Sequence, residues 1–250
     1  MKPLSGTGSL VEMVGAPWEI HRLAVPVSPG SNRTRISDLY TKAGGNNDYT
    51  AIIALSPDHG IGFSVLVAGQ PKWAGPGRFV LRNALGEAFI PAAEWAAVEN
   101  AKKNLVGTFV GKDATKANLT ISHDKDGAGL VLESVFVNGT DKRWMAAGQL
   151  AGGPVEEVLR LFPTDINSQS DSLSSSYKPG FTGSIAHRLV VGAPDARAGV
   201  EGGQGMFDNS FAWMNVGFYG VLDEFVFQFE GGRLVAVASP GLETVFKRKD

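Results

Sequence analysis

The sequence predicts a mostly β, α+β protein, in which an antiparallel sheet with one helix is followed by a small antiparallel barrel. Three observations lead to this prediction. The 250 residues include 32 Gly and 13 Pro, many of them between short apolar runs, which is typical of short strands joined by turns. One stretch in the first half has apolar residues at helical spacing. After residue 105 the apolar pattern has the period of two that strands show.

The N-terminal part predicts three or four strands followed by a helix. Short apolar and β-branched runs cover residues 18–24, 36–43, 49–55 and 61–68. The joint at residues 56–60 contains Pro, Asp and Gly, so we expect a hairpin there, with His59 exposed to solvent. From Phe79 to Val98 the apolar residues recur at helical spacing, and Pro91 is expected to break or kink the helix. These elements define a first domain at residues 1–104.

Residues 105–250 predict a second domain of about eight short antiparallel strands. Phe225, Phe227 and Phe229 alternate with Val226 and Gln228, so the three rings lie on one face of a strand, which is therefore buried. Asn138-Gly139 predicts a tight turn. Eight short antiparallel strands favour a closed barrel of lipocalin-like type.

Composition and charge argue against several classes of function. The net charge of -2 gives no reason to expect binding to nucleic acid or to an acidic membrane surface. The absence of Cys excludes a disulfide framework, a Cys-type zinc site and a thiol nucleophile. The four His residues lack metal-site spacing, and the glycine-rich stretch at 202–205 lacks the context of a phosphate-binding loop, so we expect no metal and no cofactor.

No apolar run reaches the length of a signal peptide at the N-terminus or of a membrane span elsewhere. The location therefore stays open. The chain is expected to be cytoplasmic if Met1 is the true start, and secreted if the chain is a fragment of a longer relative.

Six segments, taken in chain order, carry a resemblance to a known family. They are VGAPWEI at 14–20, DLYTKAG at 38–44, YTAIIALSP at 49–57, GIGFSVLVAG at 60–69, WMNV at 213–216 and DEFVF at 223–227. Together they resemble the C-terminal half of fungal β-lactamase-like proteins, which are related to class C β-lactamases and penicillin-binding proteins. The likeness covers nearly the whole chain, and the first segment is the most distinctive.

The resemblance implies a β-lactamase-type sheet and a serine-hydrolase site built from three motifs. These are a Ser-x-x-Lys that supplies nucleophile and base, a Tyr-x-Asn loop, and a Lys-Ser/Thr-Gly on an edge strand. Lys42-Ala43-Gly44 matches the third motif, with Ala in place of the hydroxyl residue. It implies that Lys42 is a catalytic residue lining the substrate site and that Gly44 allows the ligand to approach closely.

The first two motifs lie upstream in the family, and this sequence offers no good replacement for them. Ser-x-x-Lys matches begin at Ser122 and Ser175, but neither opens an apolar helix, which is the context that aims a serine and its lysine together. The two N-terminal strands of the family's sheet are also missing, so the predicted sheet is only partial.

Further candidate site residues come from the strands and their aromatic side chains. His187 lies inside a predicted strand, where it either faces the barrel as an acid or base or lies on the surface. The candidate substrate-binding aromatic residues either line a cavity or fill the core. They are Tyr49, Trp144, Trp213 and Tyr219.

Three hypotheses about function follow. The first is a C-terminal fragment of a serine hydrolase that acts on amide or ester bonds. The second is a protein without the nucleophile that binds a small apolar molecule and acts on it non-covalently, as a cyclase of fungal secondary metabolism would, by proximity and orientation. The third is a non-catalytic partner that forms a homodimer through its incomplete sheet.

Overall fold

The computed structural model describes residues 3–9, 11–113, 116–125, 127–146, 158–167, 180–191 and 222–249. The chain divides into unit 1, Met1–Val98, and unit 2, Glu99–Asp250; the sequence had placed a boundary between residues 104 and 105. Among the described residues, no helix combines the length and apolar character needed to cross a membrane.

Unit 1 contains a six-stranded antiparallel sheet in which the strands follow chain order. They are β1 (Pro3–Gly6), β2 (Glu12–Gly15), β3 (Glu19–Pro26), β4 (Thr34–Asn46), β5 (Tyr49–Ser56) and β6 (Ile61–Ala68). The sequence predicted β3 to β6 but not β1 and β2. Those two strands have only four residues each and are largely exposed, so they lack the alternating apolar pattern that reveals a strand.

The helix α1 (Pro71–Asn100) packs on one face of this sheet and is followed by a π-helical turn at Ala101–Leu105. It begins before the predicted start and continues through Pro76 and Pro91. Both prolines lie on the exposed side of the helix, where a carbonyl that loses its N–H partner can bind water. Of the two effects expected at Pro91, a break or a kink, the break does not occur, because the helix runs on to Asn100.

The two faces of the sheet differ in what covers them. The helix face packs on Ile90 of α1, and its buried or half-buried members are Leu23, Val25, Leu39, Ala54, Ile61 and Phe63. The other face, here called the open face, carries the exposed residues Ile36, Lys42, Gly44, Tyr49, Ile53 and Leu66. Cross-strand pairs such as Lys42↔Ile53 and Gly44↔Ala51↔Leu66 fix this assignment, because paired residues point to the same side.

Unit 2 is a closed antiparallel barrel of eight strands with one short extra strand. The elements are β7 (Gly107–Val110), β8 (Asn118–His123), β9 (Leu130–Val137), β10 (Thr140–Asp141), α2 (Arg143–Ala146), β11 (Leu159–Asn167), β12 (Gly183–Val191), β13 (Glu224–Glu230), β14 (Arg233–Ser239) and β15 (Thr244–Arg248). The sheet order is β10-β9-β11-β12-β13-β14-β15-β7-β8, and pairing of β8 with β9 closes the ring. The predicted antiparallel barrel is thus confirmed.

The interior of the barrel is filled by side chains. Phe225, Phe227 and Phe229 are all buried, as their alternation predicted. They pack with the buried residues Phe109, Leu119, Ile121, Leu132, Leu161, Ile185, Leu189, Leu234 and Phe246. Asn138 and Gly139 have φ values of 53° and 74° and form the predicted tight turn.

Arg248 joins the first and last strands of the barrel. Its guanidinium donates hydrogen bonds to the carbonyl oxygens of Asn104 at 2.9 Å, Val106 at 3.0 Å and Leu234 at 2.6 Å. It also stacks over the ring of Phe109 in β7, with 4.9 Å between the guanidinium carbon and the ring centroid. These contacts hold β15 beside β7 at the seam of the barrel.

Candidate functional site

The candidate site of unit 1 is the end of β4 that extends beyond β3. The register pairs Glu19, the first residue of β3, with Thr41 of β4. Strand β4 continues to Asn46 and from Lys42 onward pairs only with β5. Among the described strands, residues 42–46 therefore have a neighbour on one side alone. Their backbone groups on the other side are available to an extended ligand, as at any strand edge.

Three of the predicted site residues come together beside this edge. Lys42 and Gly44 lie on the open face, and Tyr49 lies across the hairpin, opposite Asn46 on the same face. The apolar residues Ile53 and Leu66 continue the surface, and Leu66 is 78% exposed. Near this edge the open face thus combines the Lys42 cation with an apolar platform, a combination that suits a ligand with an apolar body and one polar group.

Lys42 has an anionic neighbour. Its Nζ atom donates a hydrogen bond to Oε1 of Glu19 at 2.6 Å, and both side chains are about half exposed, at 45% and 47%. Water screens such a pair and weakens it. A ligand carboxylate or carbonyl can therefore compete with Glu19 for the ammonium group at little energetic cost.

The packing of unit 1 does not explain why residue 44 is glycine. A Cβ atom built on Gly44 meets no heavy atom within 4 Å, so a side chain here would project into open space. By contrast, Ala43, where the family motif has a hydroxyl residue, pairs with Ile52. It therefore lies on the opposite face from Lys42 and Gly44.

A buried polar network that the sequence did not predict lies under α1. Arg35 donates two hydrogen bonds to the Glu94 carboxylate, at 2.9 and 2.7 Å, and one to Asp58 at 2.8 Å. His59 lies 2.7 Å from Glu94 through Nε2 and 2.7 Å from the Ser56 hydroxyl through Nδ1. The side chain of His59 is only 1% exposed, so the expectation that it is solvated was wrong: the turn folds against α1.

The charges of this network are fixed by its hydrogen bonds. Burial by itself would raise the pKa of Glu94, but hydrogen bonds from His59 and Arg35 reverse this and lower it to about 2. Burial would likewise lower the pKa of Arg35, yet its bonds to Glu94 and Asp58 raise it. Glu94 is therefore ionised at neutral pH, and since a carboxylate only accepts, His59 donates to it through Nε2–H.

The sequence carried one signal for this network. Glu94 stands between Ile90 and Val98, four residues from each, and all three are buried on the same side of α1. A carboxylate on the apolar stripe of a helix requires a buried partner. The pattern could have indicated a polar contact under the helix, although not which residues of the sheet provide it.

Ser56, His59 and Glu94 have the composition of a catalytic triad but not its geometry. In a triad the serine contacts Nε2 of the histidine and the acid contacts Nδ1. Here Ser56 contacts Nδ1 and Glu94 contacts Nε2. Ser56 is also only 2% exposed, which keeps a substrate from its hydroxyl. Glu94 is the member that lines a surface cleft of about 500 Å³ between residues 26–32 and α1. We interpret the network as a contact that holds α1 on the sheet.

In unit 2, His187 points into the packed core. It is 1% exposed and stacks on Phe227, with ring centroids 3.7 Å apart. Burial lowers its pKa, and a hydrogen bond with the Ile185 carbonyl raises it by a smaller amount, so that the pKa is about 4. The ring is therefore neutral at neutral pH. The described arrangement gives a ligand no access to it, and its catalytic role stays a prediction.

The remaining candidates are not brought into one site. Trp144 lies half-buried in α2, whereas Trp213 and Tyr219 lie outside the described residues, as does Ser175. The hydroxyl of Ser122, at the end of β8, donates to the Glu133 carboxylate. Within the described ranges, no three acidic or His side chains lie close enough together to hold a metal ion.

Comparison with known proteins identifies a family for the second part of the chain. A family model described as "Beta-lactamase-like-like, C-terminal domain" matches residues 97–250, which is more than half of the sequence. The match contains all of the barrel.

Two curated fungal proteins are similar over about two thirds of the chain. The "Beta-lactamase-like protein" of Arthroderma benhamiae is 29% identical over 188 residues, which cover 66% of this chain and 29% of that protein. The "Probable hydrolase clz13" of Cochliobolus lunatus is 25% identical over 162 residues, covering 63% of this chain and 25% of its own length. The aligned region is thus less than a third of either relative.

Among solved structures, the octameric penicillin-binding protein homologue from Pyrococcus abyssi aligns with 98% of this chain and 40% of its own. The sequence identity is 14% and the TM-score is 0.28. A TM-score of this size does not establish a shared fold.

Proposed function

The chain belongs to the family of beta-lactamase-like C-terminal domains, and from the surface of unit 1 we propose that it binds a small, largely apolar molecule on the open face. The ligand lies along the unpaired edge of residues 42–46, with Lys42 beside its carboxylate or carbonyl. Tyr49, Ile53 and Leu66 contact its apolar part. Binding proceeds without an acyl-enzyme in this proposal, since the Ser-x-x-Lys match at Ser122 begins in the strand β8 and not at the start of an apolar helix.

The observation that carries this proposal is that β3 begins at Glu19, opposite Thr41 of β4. It leaves a short stretch of backbone unpaired beside an exposed cation and an exposed apolar surface. A ligand amide or ester group can hydrogen-bond to that backbone as an added strand would. The open space above Gly44 leaves room for the ligand to approach the strand closely.

A second candidate function is a non-covalent reaction such as cyclisation. It is favoured by the Lys42–Glu19 pair, which places an ammonium and a carboxylate 2.6 Å apart beside the unpaired strand edge. Such a pair can donate and accept protons, while binding holds the reacting groups of a flexible molecule together. Fungal secondary metabolism is the setting that we propose for it.

The proposal is tested with a chromogenic cephalosporin, which has a strained amide, a carboxylate and apolar groups. We expect saturable binding, measured by calorimetry, that weakens about tenfold in Lys42→Ala and is lost in Gly44→Val, whose side chain fills the ligand's space. The matched controls are Lys72→Ala, an exposed lysine of α1, and Gly6→Val, an exposed glycine of β1 that also has no heavy atom within 4 Å.

Equal affinities for Lys42→Ala and Lys72→Ala would contradict the proposed site. Intact mass after incubation with a fluorophosphonate distinguishes the mechanisms. We expect the mass of the protein to stay unchanged. A single adduct, removed by replacing one serine, would reject the non-covalent reading and support a hydrolase.

A further inference from the structure

The two edge strands of the unit 1 sheet differ in how they are protected from pairing with other chains. At one edge, β1 has four residues, begins with Pro3, and shows a register shift between Pro3 and Ser5. Short length, proline and irregularity are the usual features that prevent edge-to-edge association. This edge is therefore a poor template for another strand.

The opposite edge strand, β6, has none of these features. It spans eight residues, Ile61–Ala68, without a proline or a charged side chain. Its pairing with β5 runs without interruption from Ser56↔Ile61 to Tyr49↔Ala68. Within the described part of unit 1 no strand pairs with its outer side. A long, regular and apolar edge of this kind favours pairing with a further strand.

We propose that β6 pairs antiparallel with β6 of a second copy of this chain, around a two-fold axis perpendicular to the sheet. The two sheets then become one continuous sheet. This pairing leaves the backbone edge of the proposed ligand site free, because β5 lies between β6 and β4 and the unpaired backbone of residues 42–46 faces the other way. Leu66 of β6 is the residue that belongs to both surfaces.

The sequence of β6 is complementary to itself in this arrangement. Cross-strand partners must share a face, so residue numbers of a pair must both be odd or both be even. Two central registers satisfy this. In one, Ser64 faces Ser64 of the second copy; in the other, Val65 faces Val65 and Ser64 faces Leu66. Neither register places two like charges opposite each other, an arrangement that would be unfavourable.

The surroundings of β6 also suit a second copy. On the helix face, Phe63 contacts Phe89 of α1, with ring centroids 6.1 Å apart, and Phe89 is 46% exposed. On the open face, Leu66 is exposed beside Ser64. In the dimer these apolar groups lie next to the two-fold axis, where the second copy covers them and adds apolar burial to the backbone hydrogen bonds.

Because the chain contains no cysteine, introduced thiols report this pairing directly. Under mild oxidation we expect one of two results. Ser64→Cys alone forms a covalent dimer in the first register. A mixture of Ser64→Cys and Leu66→Cys proteins forms a mixed dimer in the second. Ser5→Cys, an exposed serine on the opposite edge strand β1, is the matched control and should stay uncross-linked.

Light scattering of the unmodified chain should give a mass about twice the 26.4 kDa of one chain. Ser64→Lys places a charge beside the axis and should raise the dimer dissociation constant by about tenfold or more, with unchanged circular dichroism. The proposal is overturned by a 26.4 kDa mass at all micromolar concentrations, or by a dimer that Ser64→Lys leaves intact and neither thiol combination cross-links.

Discussion

The Nε2 atom of His59, in the turn between β5 and β6, lies 2.7 Å from Oε2 of Glu94 in α1. This contact joins two segments 35 residues apart in the chain. Arg35 of β4 binds the same carboxylate, so Glu94 connects a turn, a strand and the helix. The position of α1 on the sheet therefore depends on charged hydrogen bonds as well as on the apolar contacts around Ile90.

Replacement of Glu94 should destabilise unit 1 strongly. Glu94→Ala leaves the Arg35 guanidinium, which is only 23% exposed, with Asp58 as its remaining carboxylate partner, and leaves His59 without an acceptor. We expect a loss of about 3 kcal/mol in the free energy of unfolding, measured by urea denaturation. Glu87→Ala, at an exposed position of the same helix, should change it by less than about 0.5 kcal/mol. Equal effects of the two changes would contradict the role given to the network.

The buried His187 should make unit 2 less stable in mild acid. Its pKa is about 4 in the folded protein and 6.5 as a free side chain, so the unfolded chain binds the proton first. Above pH 6.5 His187 is neutral in both states and does not lower the free energy of unfolding. As the pH drops from 6.5 towards 4, protonation of the unfolded chain lowers the free energy of unfolding by up to about 3 kcal/mol.

The variant His187→Leu, of similar volume, should remove most of this pH dependence. The measurement is the free energy of unfolding between pH 7.5 and 4.5. His21→Gln serves as the control, because His21 is half-buried and should contribute a smaller part of the slope. A slope as steep in His187→Leu as in the unmodified protein would show that His187 is not the titrating group.

Gly127 should tolerate no side chain. A Cβ atom there would lie 2.1 to 2.4 Å from the guanidinium of Arg160, which is only 3% exposed. Arg160 is held in place by Asp124 and the carbonyl of Ala128. Gly127→Ala should therefore cost about 1–3 kcal/mol in thermal or urea unfolding.

The control for Gly127→Ala is Gly86→Ala in α1. There the added methyl meets no heavy atom within 4 Å and improves helix propensity, so a gain of about 0.5–1 kcal/mol is expected. If Gly127→Ala were as harmless as Gly86→Ala, the close approach of Gly127 to the Arg160 guanidinium would not constrain this position.

Lys42→Ala should affect ligand binding without affecting stability. Its ion pair with Glu19 is half-exposed and screened by water, so its loss should change the free energy of unfolding by less than about 0.5 kcal/mol. Thermal unfolding monitored by circular dichroism provides the check. A large destabilisation would mean that Lys42 supports the fold, and any loss of binding could then not be assigned to a direct contact.

Local patterns predicted much of the fold, because turn residues separate alternating runs. Strand β6 has the bounds that the sequence predicted, 61–68, and the predicted turn at Asn138-Gly139 directly follows β9. The start of α1 could not be predicted in this way. Gly75-Pro76-Gly77 favours a turn by propensity, yet the structure includes it in the helix, so tertiary packing overrides the local preference.

The candidate site was only partly predictable. The residues Lys42-Ala43-Gly44 were visible in the sequence as a motif. That their strand edge is unpaired depends on where β3 begins, which is a long-range property of sheet register. The network around Glu94 depends likewise on which strand residues lie under the helix, and no local pattern specifies that.

The seam between β7 and β15 also bears on how fast the barrel folds. The hydrogen bond from Arg248 to the Asn104 carbonyl links residues that are 144 positions apart, and the ring closes only when such distant segments meet. Closing so long a loop costs entropy before any contact at the seam repays it. A barrel of this high contact order is expected to refold on the slow, millisecond-to-second scale of all-β domains, with the seam among the last contacts to form.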